Sequence, residues 1–149
     1  MTPHPNLLEA IESIEAAVRA IRVAAVLGMK DATDPDAPAY RIPQVLRERG
    51  IRVIPVNPKF DAIEGERCYP SLAAVTDLYD TLDVFRAPRF ISGIAEEILA
   101  LPLERRPQLV WLQSGIRDDA AAARLAEAGI QVVQDRCLGV YAARYRPRA

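Results

Sequence analysis

The sequence predicts an α/β fold with an open parallel sheet, and three observations predict it. Short apolar runs without polar alternation recur along the chain: VAAVL at 23–27, IRVIPV at 51–56 and LVWL at 109–112. A strand covered by helices on both faces has no solvent face to mark with polar residues. Between these runs lie stretches whose apolar residues recur every three or four positions, the helical period. The joints also repeat: LRERGIRVIPV at 46–56 and LAEAGIQVVQD at 125–135 each end a helix, place glycine and isoleucine, and begin a strand. That likeness marks repeated βα architecture; a tandem repeat would need more identity. Strand, helix and strand in succession make a right-handed crossover, which holds its two strands parallel. Five to six parallel strands with helices on both faces are expected, preceded by an N-terminal helix.

Residues 1–21 form the N-terminal segment, with a helix expected over 6–21. Asn6 followed by Glu9 fits a cap. Leu7, Ile11, Ile14, Val18 and Ile21 share one face by 4-3-4-3 spacing. That face should pack on the sheet, with a helix-mediated homodimer contact as the alternative. The domain proper spans 22–137 and opens with the strand Val23–Leu27, stopped at Gly28. After the loop KDATDPDAP a helix begins between Pro38 and Arg41; Pro43 is assigned to its first turn, where proline is tolerated. Ile42, Val45 and Leu46 face the sheet, and Gly50 ends the helix. The second strand, Ile51–Val56, contains Pro55, which lacks a ladder donor and belongs at or near a sheet edge.

Glu66–Tyr69 is at best a short third strand, and Ser71 can cap one helical turn to Val75. Leu82–Arg86 is the fourth strand; a helix follows over about 89–101 with Ile91, Ile94, Ile98 and Leu101 inward. Leu109–Leu112 is the fifth strand. A helix over about 118–128 starts at Asp118 and Asp119, which suit its positive end, and stops at Gly129. Ile130–Val133 is the last strand. Residues 138–149, holding Arg144, Arg146 and Arg148, read as a solvated, partly frayed tail.

Composition narrows the function. At 149 residues the chain fits one domain, and a net charge of −1 gives no electrostatic footprint for nucleic acid or an anionic membrane. Cys68 and Cys137 form no CxxC pair, so two reduced thiols are expected, and a single histidine leaves no zinc pattern. Glu9, Glu12 and Glu15 interrupt the N-terminal apolar segment, and no apolar run nears the ~18 residues a bilayer needs, so a soluble, cytoplasmic protein is expected. His4, between two prolines near the terminus, is a poor general base, and Ser114 lacks a GxSxG elbow. Asp31, Asp34 and Asp36 lack the closing glutamate of a calcium loop and read as turn formers.

Ligands of open parallel sheets gather beyond the carboxyl ends of the strands. Those positions here are Gly28-Met29-Lys30, Asn57-Pro58-Lys59, Phe85-Arg86-Ala87-Pro88, Gln113-Ser114-Gly115 and Asp135-Arg136-Cys137. Only the first glycine of a GxGxxG fingerprint is present, and Asn-Pro-Lys stands where an NAD site carries an acidic residue. The chain's two lysines, Lys30 and Lys59, lie just past neighbouring strands, which points to an anionic, nucleotide-like ligand.

The segments VLGMKDATDPDAPAYRIPQVLRERGIRVIPVNPK, YPSL, DVFR, VWLQSGI and VVQDRC, in this order and spacing, resemble the small stand-alone CoA-binding proteins. These are similar to the nucleotide-binding domain of the succinyl-CoA synthetase α-subunit, and the resemblance covers about residues 22–137. It implies a Rossmann-like domain with coenzyme A or an acyl-CoA as ligand. It places Gly28, Met29, Lys30 and Arg41 at the CoA phosphates. In the Asn57-Pro58-Lys59 turn, Lys59 falls near the adenosine and 3′-phosphate. Val84, Phe85, Arg86, Gln113, Ser114 and Gly115 line the rest of the cleft. The synthetase bears its phosphohistidine in a second domain absent from this sequence, so binding without catalysis is expected. Two alternatives stay open: an NADP-binding oxidoreductase domain, with Lys59 on a 2′-phosphate, and a structural or partner-binding module with a vestigial crevice.

Overall fold

The computed structural model describes residues 4–149. Its main elements are α1 (Ile11–Ala20), β1 (Val23–Leu27), α2 (Pro38–Glu48), β2 (Arg52–Val56), β3 (Ala62–Ile63), β4 (Glu66–Arg67), β5 (Thr81–Val84), α3 (Ile91–Ala100), β6 (Leu109–Leu112), α4 (Asp119–Glu127), β7 (Gln131–Val133) and α5 (Leu138–Tyr145). Five strands form one parallel sheet in the order β2-β1-β5-β6-β7, and β3 with β4 makes a small separate hairpin. The fold is Rossmann-like α/β, as expected. Side chains alternate across each strand, so the sheet feeds two cores. Ala25, Leu27, Leu82, Val84, Val110 and Leu112 meet α3 and α4 on one face. Ala24, Val26, Trp111 and Val133 meet α1, α2 and α5 on the other. Covering both faces explains why the strands lack polar alternation.

Pro55 lies in β2, at the sheet edge, where its missing N–H costs no ladder bond. Its carbonyl is used instead by the Tyr69 N–H at 3.0 Å, and Tyr69 returns its own carbonyl to Asn57 N–H at 2.9 Å.

Three expectations are corrected. The first helix begins at Ile11, and residues 6–8 run extended beside β7: Leu8 N–H donates to Val132 O at 2.9 Å and Val132 N–H to Asn6 O at 2.8 Å. Strand pairing satisfies these backbone groups, and the Asn6 side chain holds Ala126 O at 3.0 Å instead of capping α1. Ile14, Val18 and Ile21 keep the inward face, whereas Ile11 is 48% exposed. Second, Pro43 stands inside α2 and not in its first turn. The proline removes the donor that Ala39 O would have received, and the Lys30 N–H takes that place at 3.1 Å, so the first loop is tied to the helix.

The third correction concerns residues 138–149. They are not a frayed tail, because α5 buries Leu138 and Ala142 between α1 and α2 and stacks Tyr141 edge-on to Trp111 at 5.6 Å. Gly139 allows the approach, since a Cβ there would sit 3.3 Å from Ile42. Beyond the helix, the Arg146 guanidinium donates to Arg49 O, Val18 O and Arg19 O, each at 3.0 Å, and Arg49 Nη1 donates back to Arg146 O at 2.8 Å. One side chain thereby ties the end of α5 to carbonyls at the carboxyl ends of α1 and α2. Arg146→Ala should cost on the order of 2 kcal/mol, a fall of roughly 4–8 °C in melting temperature. A thermal melt that does not move would restore the frayed-tail reading.

Candidate functional site

Parallel neighbours β1 and β5 mark the place where the chain changes its direction of winding. β2 lies to one side of β1, and β5, β6 and β7 follow on the other. Loops leaving the carboxyl ends of β1 and β5 therefore diverge and leave a crevice. Gly28 makes the turn at its centre. It holds φ +88, and a Cβ there would come within 2.5 Å of Phe85 O, so only glycine lets the two strand ends lie this close. Its N–H donates to Val56 O at 2.8 Å, and Phe85 N–H donates to Leu27 O at 2.9 Å.

Two hollows open on either side of this point and share Arg86. One, of about 370 Å³, runs from Gly28 and Lys30 past the start of α2 to Phe85, Gln113 and Ser114. The other, of about 360 Å³, lies on the α3 side and is walled by Leu27, Pro58, Pro70, Leu72, Phe90 and Ile94. A third, of about 230 Å³, sits at the far sheet edge among Leu7, Glu9, Arg117 and Arg136. There Arg117 is paired with Asp119 and Arg136 with the Tyr141 hydroxyl.

The residues singled out from the sequence fall into three groups. Gly28, Lys30, Phe85, Arg86, Gln113 and Ser114 come together around the first hollow, and Pro58 joins Arg86 at the second. Met29, Asn57 and Val84 are buried beneath the surface. Asn57 acts there as a brace: its Nδ2 donates to Met29 O and its Oδ1 accepts from Lys59 N–H, both at 2.9 Å. It thus fixes the first loop against the Asn57-Pro58-Lys59 turn. Arg41, Lys59 and Gly115 are exposed and line neither hollow.

Other contributors were not picked out from the sequence. Pro70 and Leu72 wall the second hollow and were visible only as the YPSL segment. Phe90 stands at its mouth with Arg86 and Arg89 guanidinium carbons 4.4 and 4.6 Å from its ring centre. Neither arginine is in an ion pair among the described residues, which leaves two cations at the rim. Lys30 is paired with Asp34 at 3.1 Å, an exposed contact worth little in water. No side chain caps α2 and no acid occupies its first turn, so its positive end remains open to an anion.

The other groups capable of chemistry are committed elsewhere. Asp31 accepts from the Thr33 hydroxyl and amide, which holds its carboxyl below the usual range and makes it a turn former. Among the described residues no cluster of His, Cys, Asp and Glu could hold a metal ion. Both cysteines are free; burial pushes the Cys68 thiol up, and its Sγ donates to Asn57 O at 3.4 Å. His4 accepts from Asn6 N–H at 3.0 Å, beside the far edge of the sheet. Among the described residues no helix is long and apolar enough to cross a membrane.

Comparison with known proteins agrees with this arrangement. The model of a family described as "CoA binding domain" matches residues 22–143. The uncharacterized protein YneT of Bacillus subtilis is 32% identical over 116 residues, 78% of this chain and 82% of that one. The structure of cell-free ID.343 from Thermus thermophilus superimposes with a TM-score of 0.81 at 43% identity, covering 92% of this chain and 99% of that one. A hypothetical protein from Pyrococcus horikoshii OT3 gives 0.79 at 26% identity, with 97% of each chain covered. With the family match spanning both hollows and every strand of the sheet, the chain belongs to the CoA-binding domain family.

Proposed function

We propose that this domain binds coenzyme A or an acyl-CoA non-covalently and performs no chemistry on it. The observation that carries the reading is the pair of hollows meeting at Arg86 on the switch point. The second hollow, walled by Pro58, Pro70, Leu72 and Ile94 with Ser71 and Glu97 beside them, suits the flat adenine ring and its polar edge. The uncapped start of α2, Lys30 and Arg86 suit the pyrophosphate between the hollows. The pantetheine arm then runs along the first hollow toward Gln113 and Ser114. Lys59, one residue beyond Pro58 on the rim and exposed, reaches the 3′-phosphate as a point charge. Membership of the CoA-binding domain family supports the same ligand.

Titration calorimetry with CoA and NADP side by side tests this. CoA should bind at least about tenfold tighter, a difference of about 1.4 kcal/mol. Equal affinities, or binding of NADP alone, would overturn the reading in favour of an oxidoreductase-type domain. Acetyl-CoA held with the protein should be recovered unchanged by mass spectrometry; hydrolysis or transfer of the acyl group would show catalysis.

Lys59→Glu separates the phosphates. It should weaken CoA roughly tenfold and dephospho-CoA by no more than about twofold, because only the former carries the 3′-phosphate. Equal losses for the two ligands would remove Lys59 from that role.

A further inference from the structure

Beneath the first hollow two polar side chains meet inside the core. Asp83 on β5 is fully buried, and Gln113, just past β6, is 4% exposed. Gln113 Nε2 donates to Asp83 Oδ1. Asp83 projects to the face covered by α1, α2 and α5, where Val26 and Trp111 flank it on neighbouring strands. Its second oxygen, Oδ2, has no partner among the described residues. Burying an acid with half its hydrogen bonds unmade is costly, and a simple core position would be filled better by an apolar residue.

Orienting Gln113 accounts for the carboxyl. An amide has one donating and one accepting end, and a carboxylate can only accept. Asp83 therefore holds the NH₂ of Gln113 inward and sends its carbonyl outward. Gln113 Oε1 accepts no hydrogen bond among the described residues, is not among the polar atoms shut off from solvent, and belongs to a residue lining the first hollow. Without the carboxylate the amide is free to rotate and present its NH₂ instead.

We infer that Gln113 is a specificity-determining residue, its Oε1 accepting an amide N–H of the ligand's pantetheine arm, and that Asp83 is the positioning residue that fixes the polarity of that amide. The inference rests on the CoA reading and extends it. On that reading the phosphates sit at the Lys30, α2 and Arg86 end of the first hollow, so the arm is the part of the ligand that reaches β6. Its two amides supply the N–H groups there.

The test uses two probes at pH 8: CoA, and adenosine 3′,5′-bisphosphate, which shares the nucleotide but lacks the arm. Gln113→Met keeps the length of the side chain and removes both polar ends. Asp83→Leu keeps the branched shape with somewhat more bulk and removes the acceptor, whereas Asp83→Asn retains an oxygen for Gln113 Nε2. Gln113→Met and Asp83→Leu should each weaken CoA roughly tenfold and leave the bisphosphate within about twofold. Asp83→Asn, which can turn either its oxygen or its NH₂ to Gln113, should weaken CoA less than Asp83→Leu does and leave the bisphosphate within about twofold. Loss of both probes in parallel would mean that these residues merely support the walls, and an undiminished CoA affinity in Gln113→Met would end the proposal outright. Gln113→Met decides the matter alone if Asp83→Leu does not fold. A wild-type protein that binds the bisphosphate and CoA equally overturns the arm contact but leaves the nucleotide site standing; one that binds neither overturns both.

Discussion

Gly28→Ala should lower stability by on the order of 4 kcal/mol and abolish ligand binding, the largest effect of a methyl added at any glycine of this chain. Two costs combine. At φ +88 an L-residue is strained by about 1–2 kcal/mol. The new Cβ would also stand 2.5 Å from Phe85 O, a backbone atom of the neighbouring strand that cannot swing aside. Relief requires the ends of β1 and β5 to part, which sacrifices the 2.9 Å bond from Phe85 N–H to Leu27 O. Gly115→Ala is the control. It shares the conformation, φ +82, but nothing lies within 4 Å of its Cβ. It should therefore cost only about 1 kcal/mol. For a chain of this size the melting temperatures should fall by roughly 8–16 °C and 2–4 °C respectively. Equal falls at the two positions would mean that the close approach of the strand ends contributes nothing.

The same contrast explains what could be read from the sequence. Gly28 announced itself, since a glycine ending an apolar run before a polar loop marks a strand end. Pro55 announced an edge strand, because a missing N–H has a direct topological meaning. Both signals are local. The pairing of residues 6–8 with β7 is not, for nothing within that segment reports the open strand it will meet. Helix α5 was missed for a related reason: LGVYAARY buries only a narrow stripe, and its arginines look like surface charge until Arg146 is seen reaching three carbonyls on other helices. Pro43 misled because its cost was judged inside one helix, whereas the Lys30 N–H from another loop makes good the loss.

At the candidate site the division is similar. Residues at strand ends were found from the order of the elements alone, and Gly28, Lys30, Phe85, Arg86, Gln113 and Ser114 do converge. Lys59 and Arg41 were named by charge and position, and they stand at the surface outside the hollows. Asp83 left a signal that went unread. TLDVF is a strand expected to be covered on both faces, so a charged residue at its centre must be buried whichever way it points. A buried acid beside a crevice is a more informative feature than an exposed lysine near one.

That acid should also make stability depend on pH. Burial pushes the Asp83 carboxyl up to about 7 from an ordinary 3.8, against the smaller opposing pull of the Gln113 N–H. Between those two values the folded protein keeps a proton on Asp83 that the unfolded chain has released. Folding then takes up a proton, so this group's contribution is fully present below about pH 4, declines as pH rises, and is gone above pH 7. From pH 5 to pH 8 the loss is on the order of 3 kcal/mol. Asp83→Asn cannot ionise and should lose this slope while keeping an oxygen for Gln113. At pH 5 the variant should be no more stable than wild type, since its NH₂ replaces an oxygen that has no partner. At pH 8 the wild type carries a buried charge, and the order should reverse. Urea denaturation of both proteins at the two pH values measures the difference directly. Parallel pH profiles for wild type and Asp83→Asn would mean that the carboxyl is ionised throughout, and that another group sets the pH dependence of this fold.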